Sequence, residues 1–486
     1  MNWQKIDSIL HRLLQVGIVA ILIGIPAYPK FPLISLSGTY VSIRIEDFLI
    51  LAIGIIWLLY LRQKIFGLLK LRITQAILLF LGVGLLSLLS AIFLTQTVSV
   101  TIGALHTIRR FEYLSVFFFA YSSIKSRQDV YFYLKVITLT AILVFIYALG
   151  QRLFAWPIIS TMNKEYSQGV AQAIAYGGRI NSTFAGHYDL AAYAVVIINL
   201  FFGILAGVKK WSTKLVYLGM VNISLWLLLA SASRISFAAY LGSITLGLIL
   251  MRKWWWIIPV LAISIMSSFY GTTMNARYAD SIKYEILPRL AAIEYPWERG
   301  ENIAAPTITP TPTPVVIANK PSTVPAGVTQ PTPTPTPAEK RLKKSLAGTE
   351  IEYVQLPEDR STAIRFNVEW PRALRAFQKN PLLGTGYSSI TLATDNDYLR
   401  ALGEVGFLGF MAFMLIFVTM FNDLKSYIFK GIPDFKHAVI IGFAAATMGF
   451  LANALFIDVF EASKIAIFYW ILSGIIIRYA HLDDTA

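Results

Sequence analysis

Four short polar clusters interrupt an otherwise apolar chain, and each carries side chains able to hold an anion or move a proton. Arg109, Arg110 and Glu112 form the first, and Gly186, His187 and Asp189 the second. The third is SASR, ending at Arg234; the fourth is Asp395, Asn396, Asp397, Arg400 and Glu404. Arginine presents a planar, permanently charged fork of donors that matches phosphate oxygens. A carboxylate or a histidine beside it can take the proton of a hydroxyl. Such a set suits a transferase in which arginines hold a pyrophosphate leaving group while Asp395, Asp397 or His187 activates an acceptor. It also suits a transporter or flippase of an anionic or lipid-linked solute, because transporters place ion pairs within the membrane too. Arg400 and Glu404, four residues apart, can equally pair on one helix face for structural reasons alone.

The elements that carry these clusters follow from composition. Of 486 residues, 56% are hydrophobic and 14% charged, against about 45–50% and about 25% in soluble domains. There is no cysteine, so neither a disulfide framework nor a thiol-ligated metal is expected. Neither metal nor cofactor is called for. With about 20 apolar residues per span, the sequence predicts an all-α polytopic membrane protein of about twelve spans. They run roughly over 13–28, 47–62, 73–93, 106–124, 130–153, 188–207, 214–231, 235–251, 254–271, 398–421, 437–456 and 463–480. The segments are apolar all round, which disfavours a water-soluble bundle.

Lys and Arg in the short loops set the orientation. With the N-terminus inside, Arg62, Lys64, Lys70 and Arg72, then Lys125 and Arg127, then Lys209, Lys210 and Lys214, then Arg252 and Lys253, then Lys425, Lys430 and Lys436 all fall on the cytoplasmic side. This placement accounts for much of the net charge of +15, so no nucleic-acid partner is needed to explain it. All four polar clusters then fall at the outer ends of spans.

The expected organisation is a membrane domain over 1–271, an extracytoplasmic loop over 272–397, and a second membrane portion over 398–486. Inside the loop, 306–337 is a Pro/Thr-rich tract with TPTPTP at both ends. Repeated proline removes backbone donors and favours extended polyproline II, so the tract reads as a solvated spacer. After it, Ile364, Val368, Leu374 and Phe377 lie at near-helical spacing behind the capping candidates Asp359 and Ser361, with Pro371 set to break or kink that helix.

The stretch NDYLRALGEVGFLGF, with PLLGTGYSS before it, resembles the signature of the O-antigen ligase and Wzy-type polymerase superfamily. Arg234 in SASRISFAAY is similar to that family's Ser-Arg turn, and RINSTFAGHYDLAAY to its segment leading into the middle spans. Arg365 in IRFNVEW matches an arginine placed before a Trp-containing helix. The resemblance implies a metal-independent glycosyltransferase of the bacterial cytoplasmic membrane. Such an enzyme moves a glycan from an undecaprenyl-pyrophosphate carrier to a hydroxyl on a glycan, lipid or protein acceptor at the extracytoplasmic face. It implies that Arg234 and Arg365 hold the pyrophosphate and that Asn396 to Glu404 shape the acceptor side. One position departs: the histidine of the family's His-Asn pair is Asp395 here. A carboxylate is a weaker base unless burial or the adjacent Asp397 raises its pKa, and His187 is the alternative base.

Overall fold

The computed structural model describes residues 3–29, 31, 33–35, 42–62, 65–159, 171–172, 178–269, 364–390, 393–429 and 434–482. They belong to one unit, Met1–Ala279 together with Arg360–Ala486; a second unit, Asp280–Asp359, lies outside the described residues. The tract at 306–337 and the capping candidates Asp359 and Ser361 fall outside them as well.

Each of the apolar runs folds as a helix. In chain order these are α1 (Trp3–Ala27), α2 (Ile45–Leu61), a short α3 (Ile65–Leu69), α4 (Arg72–Phe93), α5 (Val100–Ser122) and α6 (Arg127–Phe154). Then come α7 (His187–Gly207), α8 (Trp211–Ala230), α9 (Arg234–Leu250), α10 (Ile257–Phe269), a short α11 (Trp370–Lys379), α12 (Asp397–Phe429), α13 (Phe435–Asn453) and α14 (Ser463–His481). Among the described residues, 8 of these are long and apolar enough to cross a membrane: α1, α4, α6, α7, α8, α12, α13 and α14. Helices α9 and α10 are apolar but shorter, α2 has 17 residues, and α5 is interrupted by Arg109, Arg110 and Glu112. The only strands among the described residues are β1 (Ile34–Ser35), antiparallel to β2 (Ser42–Ile43), and β3 (Ile158–Ile159), antiparallel to β4 (Ala171–Gln172).

The chain's core is the inverse of a surface helix pattern. Helix α14 is buried along almost its whole length and packs on α5, while α7 is clasped by α8 and α13. At the α7–α13 crossing, Gly203 faces Gly442, and a Cβ on Gly203 would stand 2.6 Å from the Ala438 carbonyl. Small residues let two such backbones approach closely where apolar burial alone does not drive association. Outward faces are themselves apolar: Leu51, Leu58, Leu86, Ile258, Met411 and Val418 are all exposed. A bilayer rather than water suits that surface.

Two helix starts differ from the sequence reading. Helix α5 begins at Val100, where the Ser99 hydroxyl caps Ile102 N–H, so Arg109 and Arg110 sit well inside the helix rather than at its start. The segment before Pro371 is a π-helix, Arg365–Glu369, closed by Trp370 N–H donating to the Arg365 carbonyl. Pro371 then falls in the first turn of α11, directly after the π turn, and the backbone stays helical through Glu369 and Trp370. Along this stretch Ile364, Val368 and Leu374 face outward, while Arg365, Glu369 and Ala373 are buried.

Candidate functional site

Helix α12 is broken at Gly406, whose φ of 67° and ψ of −171° are non-helical. The break would strand the carbonyls of Gly403 and Glu404 and the N–H groups of Phe407 and Leu408. The glycine-rich turn at 381–386 takes up all four. Thr385 N–H donates to the Gly403 carbonyl at 2.9 Å and Gly386 N–H to that of Glu404 at 2.8 Å, while Phe407 and Leu408 donate to the Pro381 and Leu382 carbonyls at 2.8 and 3.2 Å. Ser87 on α4 adds a hydroxyl to the Glu404 carbonyl at 2.8 Å. Irregular backbone at this depth is tolerable only when protein satisfies it in this way. Gly384, at φ 68°, lies so close that a Cβ there would meet the Glu404 backbone at 2.5 Å. PLLGTG and GEVG are thus two halves of one structural unit.

The start of α12 is fixed by a single carboxylate. Asp458, in the α13–α14 connection, accepts from the backbone N–H groups of Thr394 (2.8 Å), Asp395 (3.1 Å) and Asn396 (3.2 Å). Its Oδ2 also lies 3.0 Å from Arg400 Nη2. Burial opposes ionisation of Asp458, but Arg400 and these amides together hold its carboxyl below the usual range. Asn396 caps α12 through Leu399 N–H at 2.9 Å. Asp397 N–H donates to the Ala454 carbonyl at 2.9 Å, and Asp397 Oδ2 accepts from Phe460 N–H at 3.1 Å. Asp458→Asn should loosen the whole 394–397 turn and cost about 2 kcal/mol, because it removes a charge that pairs a buried arginine and several amides. Faster proteolysis or hydrogen exchange around 393–400 in the purified variant is the readout, and unchanged protection would show that the turn holds without it.

That turn presents Asp395, at φ 49°, to the π-helix. Arg365 Nε donates to Asp395 Oδ2 at 2.9 Å, and Nη2 lies 2.8 Å from the same oxygen. The Arg365 guanidinium is buried, whereas Asp395 is 28% exposed. Burial raises the Asp395 pKa, with Arg365 opposing the shift. On the other side the guanidinium carbon stands 5.9 Å from the Tyr188 ring at the start of α7. His187 stacks on Tyr188 at 4.1 Å and takes a hydrogen bond on Nε2 from Arg179 Nη1 at 2.7 Å. Arginine only donates, so this nitrogen is the unprotonated one. Trp370 follows the π turn and packs on Phe456 at 5.9 Å. Five buried polar atoms here, Arg365 Nη2, Glu369 Oε2, Trp370 Nε1, Arg372 Nη1 and Thr394 Oγ1, have no hydrogen-bond partner among the described residues.

The residues singled out from sequence therefore fall in four places. Arg365, Asp395, Asn396 and His187 converge on one end of the bundle. Arg234 opens α9, whose Ser236 hydroxyl reaches Asn453 Oδ1 at 2.6 Å, one residue before the Ala454 carbonyl that holds Asp397. Arg110 and Glu404 belong to a neighbouring buried network. There Arg110 pairs with Glu461 and lies 3.8 Å from Glu404 Oε2, while Arg400 Nη1 meets Glu404 Oε1 at 3.1 Å. The cavity inside that network, lined by Arg110, Tyr387, Asp397, Arg400, Glu404 and Glu461, measures ≈ 40 Å³, too small for a sugar or a lipid headgroup. Arg109 stands apart, bound to Asp47 at 3.2 Å and to the Ser42 carbonyl at 2.9 Å.

Sequence reasoning passed over Glu369, Asp458, Glu461, Arg179 and Tyr188. Asp458 and Glu461 had a signal, two acids in a short link between apolar runs. Glu369 had one in its distance of four residues from Arg365. In sequence comparison the chain matches no protein-family profile and no curated protein.

Proposed function

We propose that this chain is a membrane glycosyltransferase of about twelve spans, acting at the extracytoplasmic face of a bacterial cytoplasmic membrane. It takes a glycan from an undecaprenyl-pyrophosphate carrier and passes it to an acceptor hydroxyl, as an O-antigen ligase or polymerase does. The observation that carries this reading is the buried Arg365 fork against partly exposed Asp395, beside Tyr188, with unpartnered donors from Trp370 and Arg372 in the same segment. An anionic headgroup can exchange for Asp395 on that fork, because phosphate and carboxylate offer arginine the same geometry. The outward apolar side chains of the π-helix and α11 suit an element lying in the membrane interface over the site. The positive-inside distribution of Lys and Arg supports reading this end of the bundle as the outer one.

A transporter or flippase is the second reading. The break in α12 favours it, since broken helices mark transport sites; yet the freed backbone groups are spent on the 381–386 turn rather than offered to a solute. A gene deletion complemented with variants separates the two. Arg234→Ala is expected to reduce glycan transfer at least about tenfold with normal protein level, the loss of one charge-assisted contact to phosphate. Wild-type surface polysaccharide on gels from that strain would remove Arg234 from the site.

A further inference from the structure

We propose that Glu369 takes the proton from the acceptor hydroxyl, an inference that rests on the transferase reading above. Positions 365 and 369, four residues apart at the two ends of the π turn, lie on one face. The burial pattern agrees: Arg365 and Glu369 are inside while Phe366, Asn367 and Val368 between them are exposed. Such turns recur at functional sites because they re-aim side chains at the cost of regular pairing. Glu369 is 9% exposed, and its Oε2 has no hydrogen-bond partner among the described residues.

The competing carboxylates are engaged. Asp395 receives Arg365, Asp458 receives three amides and Arg400, Asp397 receives Phe460 N–H, and Glu404 receives Arg400 and Ser388 N–H. His187 Nε2 is bound by Arg179. Every such contact favours the charged, weakly basic state of an acid. Asp395 is raised by burial even so; what sets Glu369 apart is that its Oε2 takes no hydrogen bond among the described residues. The groups facing it are Asp395 from the start of α12, Asp458 from the α13–α14 connection, and Arg365 and Arg372 from its own segment. Arg400 lies beyond Asp395, and Tyr188 with His187 beyond Arg365. Burial, then Asp395 and Asp458, push the Glu369 carboxyl up to about 7, against the two arginines. A base of that strength is matched to neutral conditions.

The step balances without a metal or redox partner. The acceptor oxygen bonds to the anomeric carbon as the bond from that carbon to the pyrophosphate oxygen breaks. That electron pair leaves with the pyrophosphate, held by Arg365. The hydroxyl proton passes to the Glu369 carboxylate, which later returns it to water.

The test uses the full-length protein in detergent or vesicles, with carrier-linked glycan extracted from the deletion strain as donor. Glu369→Gln, which keeps the shape, is expected to lower the transfer rate about a hundredfold or more. Retention of undecaprenyl pyrophosphate in a vesicle co-sedimentation assay should stay at the wild-type level. The wild-type rate should rise with pH through about 7, since the base must be ionised, and Glu369→Asp should move that limb. Full transfer by Glu369→Gln alongside an inactive Arg365→Ala overturns the assignment and leaves the transferase reading standing. Equal losses of binding and transfer in Glu369→Gln, or a pH limb indifferent to Glu369→Asp, also overturn it. Absence of transfer by the wild-type protein overturns the transferase reading itself, whereas full transfer by Arg365→Ala removes only Arg365 from the chemistry.

Discussion

Arg365→Ala is expected to lower glycan transfer by about 10²–10³-fold, the usual effect of removing one preorganised group that stabilises developing charge, while the protein still accumulates. The fork is buried and already set: its Nε donates to one Asp395 oxygen, its Nη2 lies 2.8 Å from the same oxygen, and Tyr188 backs its other face. A leaving pyrophosphate that takes the place of Asp395 on it gains charge-assisted hydrogen bonds from a guanidinium already held in position. The fold should survive because the remaining partner can neutralise itself. Burial already raises the Asp395 pKa and Arg365 is the cation that opposes this, so its removal lets Asp395 bind a proton rather than stay as a buried unpaired charge. Arg365→Lys should recover little, since a point charge on a flexible stem cannot present two aligned donors. Polysaccharide gels read against an immunoblot of membranes decide it. A full ladder of surface glycan from either variant would exclude Arg365 from the chemistry.

The sequence carried the helices far better than the site. Uninterrupted apolar runs announce helices whatever they pack against, and every one of those runs is helical. The Arg400–Glu404 pair was also legible, because a spacing of four brings side chains together on any helix. What could not be read was the partner of each motif. PLLGTG looks like a loop on its own. Its role depends on backbone groups freed at Gly406, about twenty positions on, and no local rule links the two. The inward face of 365–369 was left open for a related reason. Apolar residues at helical spacing mark one side of a helix without saying what covers it; here the polar Arg365 and Glu369 turn in. Asp458 escaped notice because its work is done on backbone N–H groups, which are the same in every sequence.

Gly406→Ala should be the most damaging substitution of a single methyl group in the membrane unit, costing about 3 kcal/mol or more. The backbone there, at φ 67° and ψ −171°, lies in a region open essentially to glycine alone, where other residues carry about 1–3 kcal/mol of strain. A Cβ would also press on the Leu382 backbone, which cannot withdraw without surrendering the bonds that Pro381 and Leu382 accept from Phe407 and Leu408. Strain and lost hydrogen bonds therefore add rather than trade. Gly82→Ala is the matched control: it sits in helix α4 with nothing within 4 Å of the new methyl, and should be neutral or stabilising by about 0.5–1 kcal/mol. Comparing the two by thermal inactivation in one detergent cancels the effect of the medium. If Gly406→Ala proved as stable as Gly82→Ala, α12 would be continuous and the 381–386 turn would brace nothing. If it is less stable by the expected margin, the turn holds the first half of α12 in place, and with it Arg400, the Asp458 contacts and the position of Asp395 against Arg365.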